Sequence, residues 1–142
     1  MDKVQEKKQE KNSVVSEEIA RKEIEVWLDY KKIDDQQRED QEGTIKSLIS
    51  FLKAGHLVLN PDKSFTHILK FELENAGIKE LTYKARLPEK EIRAKLHGVK
   101  SDDGDGRLSA HICALTGQVM GIINALDKED FKVARYIAIF FV

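Results

Sequence analysis

The chain has 142 residues, 41% hydrophobic and 35% charged, and its 24 Lys and Arg nearly balance 25 Asp and Glu. A formal net charge of -1 excludes the broad basic face of a nucleic-acid binder, because phosphate contacts need a clear cationic excess. The single cysteine, Cys113, excludes an internal disulfide and fits a reducing compartment.

Residues 1–13 mix Lys, Glu and Gln with little apolar content. Such a stretch cannot offset the entropy of ordering, so a disordered leader is expected. Its charge also rules out a secretory signal. Ser16 is the expected cap of a first helix, with Glu17 and Glu18 at the positive end of its dipole. Ala20, Ile24, Trp27 and Leu28 fall on one face at helical spacing. The polar run Asp34 to Glu42 is either an exposed helical turn or a linker. Thr44 is the expected cap of a second helix with the stripe Ile45, Leu48, Ile49 and Leu52, ended by Gly55.

The period then changes to two. His56 to Asn60 reads as a short strand, and Asn60-Pro61-Asp62-Lys63-Ser64 as a turn. Phe65, His67, Leu69, Phe71 and Leu73 alternate with polar residues, Ile68 excepted. A turn at Asn75-Ala76-Gly77 leads to Leu81, Tyr83, Ala85 and Leu87, again alternating. Three strands with short turns predict an antiparallel meander with one face buried and one wet.

Pro88 suits the first turn of a further helix, with Ile92 and Leu96 inward and Gly98 as its stop. An acidic loop, Ser101 to Gly106, precedes two final helices separated near Asp127, which caps the last one, Asp130 favouring its dipole. The fold class is therefore α+β: N-terminal helices, a small antiparallel β-meander and C-terminal helices. Residues 14–142 are expected to form one domain, a helical extension at 14–55 and the sheet with its C-terminal helices at 56–142.

No motif supports catalysis or a cofactor. With Ser101 at position one of a calcium loop, Asp103, Asp105 and Gly106 fall at three, five and six. Position twelve is then Ile112, where a bidentate Glu is needed. His111 and Cys113, two apart on a helix, point about 200° away from each other, and no second cysteine exists to complete a metal site. Cys113 lies among Ile112, Ala114 and Leu115, which keeps a thiol neutral. Neither a phosphate-binding glycine loop nor a His-Glu-x-x-His pair is present. The expectation is a protein that is not an enzyme and binds no cofactor.

The last thirty-five residues are unusually apolar. Phe131, Ala134, Ile137, Ala138 and Phe141 form one stripe, and Val133, Tyr136, Ile139, Phe140 and Val142 cover much of the rest. A helix apolar nearly all round either threads a core or docks against a partner. The run is far too short to span a membrane, so a soluble, cytoplasmic protein is expected.

From about Phe65 onward the order of elements resembles the tail assembly chaperones of Mu-like and related contractile-tailed bacteriophages. The resemblance rests on Leu81-Thr-Tyr-Lys-Ala-Arg-Leu-Pro88, then a short helix and an acidic loop. Cys113-Ala-Leu-Thr-Gly117 and Ile123-Asn-Ala-Leu-Asp-Lys-Glu-Asp-Phe131 follow, with a Phe near the end. About sixty residues precede the matching region. The resemblance implies a host-cell cytoplasmic chaperone that holds the tape measure protein soluble before the tail tube polymerises around it. On that reading Leu115, Met120, Ile123, Phe131, Ile137, Phe140 and Phe141 contact the client. The alternative is a structural or regulatory module of a prophage that assembles with itself through the same C-terminal helix.

Overall fold

The computed structural model describes residues 15–142; the expected leader lies outside them. The fold is α+β. Helices α1 (Glu17–Tyr30), α2 (Asp35–Asp40) and α3 (Glu42–Ala54) precede strands β1 (Leu57–Leu59), β2 (Phe65–Leu73) and β3 (Ile78–Tyr83). Helices α4 (Glu89–Leu96), α5 (Gly104–Thr116), α6 (Met120–Asn124) and α7 (Lys128–Ala138) complete the order. The sheet is an antiparallel meander in the order β1-β2-β3. Among the described residues no helix is long and apolar enough to cross a membrane.

Local chemistry accounts for the first three helices. The Ser16 hydroxyl accepts the Ile19 amide at 3.2 Å and starts α1, a cap of the kind that contributes about 1 kcal/mol. The predicted stripe of Ala20, Ile24, Trp27 and Leu28 is the face it buries. The polar run folds as α2, whose cap is Asp34, accepting the Gln37 amide at 2.8 Å. Thr44 does not cap α3. That helix begins at Glu42 directly after α2, and Thr44 Oγ1 donates to Gln41 Oε1 instead. The tight junction between two helices sets the start, so no side-chain cap is used. Gly55 ends α3 at φ 85°, a left-handed conformation that glycine adopts without steric cost.

The sheet departs from simple alternation. Leu57 pairs with His67, and Phe65 and His67 pair with Tyr83 and Leu81. The β2–β3 register then shifts between Ile68 and Leu73. Extra residues on one strand bulge it and re-aim its side chains. Phe71, expected on the inner face, is therefore exposed. Regular pairing of β3 ends at Tyr83, and the Lys84 amide continues to the Leu115 carbonyl at the end of α5.

The C-terminal region forms three helices rather than two. Ser101 to Gly106 is largely a helix start: Asp103 caps α5 by accepting the Gly106 amide at 2.9 Å. Gly117 ends α5 at φ 73°, and α6 is a separate short helix. Asp127 caps α7, accepting the Glu129 amide at 2.9 Å. The last helix stops at Ala138, after which Phe140 and Phe141 form a turn on the Ile137 and Ala138 carbonyls.

One hydrophobic core joins α1, α3, the three strands, α5, α6 and α7, while α2 and α4 contribute no buried side chain. Trp27 sits at its centre, its ring 5.0 Å from Phe65, 5.5 Å from Phe140 and 6.3 Å from Phe141. A single α1 side chain thus touches the sheet and the end of the C-terminal region. Residues of α1 and α3 belong to the same buried cluster as those of β2, β3, α5 and α7.

Candidate interaction surface

Of the seven residues expected to contact a partner, Leu115, Ile123 and Ile137 are fully buried and Phe140 nearly so. These side chains hold α5, α6 and α7 onto the sheet and α3. A partner cannot reach them while the fold is closed. Phe131 and Phe141 are half-buried and packed against the core. Met120, 36% exposed, is the member of the set with the most surface to offer. Its sulfur lies 3.9 Å from the Cys113 thiol, which is itself buried and pushed up from its ordinary pKa by that burial.

The exposed apolar surface lies elsewhere along the same side of the sequence. Phe71 is 52% exposed on the bulge of β2, and Val119 is 61% exposed at the entry to α6. Between these segments runs a groove of about 550 Å³ where the end of β2 and the following 3-10 turn face α6. Leu73, Ala76, Ile122 and Ala125 supply its apolar lining, and Glu72, Glu74 and Asn75 its polar part. A second apolar groove, of about 450 Å³, lies against the outer face of α1, where Ile19 and Val26 meet Leu59 and Pro61.

A polar constellation in the interior was not visible as a motif. Tyr83 Oη lies 2.9 Å from His67 Nδ1, and His67 Nε2 lies 3.4 Å from Asp130 Oδ1. With Tyr83 donating, the ring proton sits on Nε2 and faces the carboxylate. That second contact is too long for a good hydrogen bond, and Nε2 has no hydrogen-bond partner. It is an electrostatic attraction rather than a formed bond. Burial lowers the His67 pKa to about 4 against the opposing pull of Asp130, with His56 adding a smaller repulsion. Tyr83 is pushed far up by burial and then by Asp130.

Asp130 also accepts the backbone amides of Lys70 at 2.8 Å and Phe71 at 3.0 Å. These are the amides that the bulge frees from β-pairing. The triplet superficially looks like an acid–base relay, yet His67, Tyr83 and Asp130 are all closed to solvent. No substrate atom can reach them. Their work is structural: they tie the first turn of α7 to the irregular stretch of β2.

The remaining candidates for chemistry are occupied in the same local way. His111 Nδ1 is 2.8 Å from the Arg107 carbonyl one turn earlier, and Asp103 is a helix cap. Among the described residues no group of three His, Cys, Asp or Glu side chains is placed to hold a metal ion. Just after β3, Lys84 is paired with Glu91 at 2.7 Å.

No protein-family model matches this chain, and neither does any curated protein or solved structure.

Proposed function

We propose that this is a non-enzymatic binding protein, and specifically a phage tail assembly chaperone that keeps the tape measure protein soluble in the host cytoplasm. The observation that carries the reading is the apolar groove between the end of β2 and α6, with the exposed side chains of Phe71, Val119 and Met120 next in sequence to the segments that line it. It rests on a closed core, so it can grip a client helix without the protein unfolding. The resemblance in the order of motifs from Phe65 to Val142 is what supports this family and this client. The expected contact set is revised accordingly: Phe71, Val119, Met120 and Ile122 form the grip, and Leu115, Ile123 and Ile137 form its foundation.

Co-expression with the tape measure protein tests the reading. The client is expected in the soluble fraction with the wild-type chain and in the pellet with a Phe71→Ser, Met120→Ser double variant. If the client remains insoluble beside the wild type while this protein runs as a stable oligomer, the chaperone reading fails. The apolar surface then belongs to self-assembly.

A further inference from the structure

A cleft of about 670 Å³ opens between the C-terminal end of α1, the segment after β3 and the turn after α7. It is chemically unlike the two apolar grooves. Lys31, Lys32 and Arg86 line it together with Tyr30, Phe140 and Phe141. Among the described residues none of these three cations has an ion-pair partner. The acidic lining residue, Asp29, is engaged by Arg38 at 2.8 Å. Three uncompensated positive charges thus converge in a chain whose net charge is -1.

Lys31 is the most committed of them. Its ammonium lies 3.5 Å from the centre of the Phe141 ring and 6.0 Å from that of Trp27, so aromatic faces hold it where water is scarce. Burial, and after it the charge of Arg86, lowers its pKa to about 8. A carboxylate arriving here would offset that shift, since an opposite charge favours the ionised lysine. The aromatic rings beside the cations give an apolar neighbour of that carboxylate something to pack on.

We propose that this cleft takes an acidic side chain, Asp or Glu, presented next to an aromatic or apolar residue by a protein partner. The inference rests on the protein-binding reading given above and adds a second, charge-selective contact to it. The pocket gives direction to a client that the apolar groove alone would hold in either orientation, because a rim of cations accepts one charge sign and repels the other.

The test is titration of the full chain with a short peptide of alternating Glu and Phe, with its Gln counterpart, and with inorganic phosphate. Saturable binding of the Glu peptide is expected, at least tenfold tighter than the Gln peptide and weakened by salt. Arg86→Gln and Lys32→Gln, both exposed positions, are expected to weaken it severalfold with unchanged circular dichroism. The Lys31 ammonium should titrate higher with the Glu peptide bound. Equal binding of the two peptides, no binding, or phosphate binding as tightly as the Glu peptide overturns the proposal, the last result marking a small-anion site. Client solubilisation that survives Arg86→Gln while the peptide fails to bind removes the cleft and leaves the chaperone reading intact. Peptide binding without client solubilisation does the reverse.

Discussion

Asp130 accepts the Lys70 amide at 2.8 Å across sixty residues of chain. The same carboxylate takes the Phe71 amide and faces the His67 ring, so one side chain stabilises the bulge of β2 and anchors the start of α7. Replacing it by Ala would leave the Lys70 and Phe71 amides without their acceptor. A loss of about 1–3 kcal/mol is expected, the usual cost of leaving buried donors unsatisfied. Asp130→Asn keeps one acceptor oxygen and should lose less. Urea unfolding of both variants checks the order; equal stability of Asp130→Ala and wild type would sink the account.

The same cluster makes stability fall on mild acidification. The unfolded chain takes up a proton at His67 near pH 6.5, whereas the folded state resists until about pH 4. The unfolded state therefore binds more protons in that window, and the His67 contribution is lost as pH falls from 6.5 toward 4. Between pH 7 and 5 the loss is about 2 kcal/mol. In His67→Gln, where the amide does not titrate, the drop over that interval should be smaller by about this amount. Urea midpoints at the two pH values measure it.

Gly117 separates α5 from α6 at φ 73° with open space around its Cα. An added methyl group meets nothing, so the cost of Gly117→Ala is backbone strain alone, about 1–2 kcal/mol. Thermal unfolding should show a modest drop with a fully native fold. A larger loss, or altered near-ultraviolet spectra, would mean that the glycine also permits a close approach.

These sites differ in how far they were legible from the sequence, and the reason is distance along the chain. Ser16, the Ala20 to Leu28 stripe and Gly55 are read correctly because caps and periodicity act within a few residues. The Asp130 tie is invisible because its partners are fifty-nine and sixty residues away, and an acidic residue in a helix's first turn already has a sufficient local explanation. Phe71 is misplaced for the same reason, since strict alternation carries no sign of a bulge. Apolar content marked the C-terminal helices as important, but Met120 and Ile123 look alike in a sequence. Only the packing of α5 and α7 against the sheet separates an exposed side chain from a buried one. The cationic cleft draws Lys31 and Arg86 from segments fifty-five positions apart, so no run of basic residues announces it.

Surface and foundation can be told apart by experiment. Ile137 is fully enclosed, and Ile137→Ala should cost about 2–5 kcal/mol through lost contacts and the cavity left behind. Met120→Ser and Phe71→Ser remove partly exposed side chains, so each should cost clearly less than Ile137→Ala. For client solubilisation at low temperature the order should invert. Ile137→Ala retains the apolar surface and should still hold the client while folded, and the two serine variants should not. Parallel unfolding and co-purification of the three proteins decide the matter. Loss of the client only with Ile137→Ala would place the contact site inside the present core and require the C-terminal helices to open before they bind.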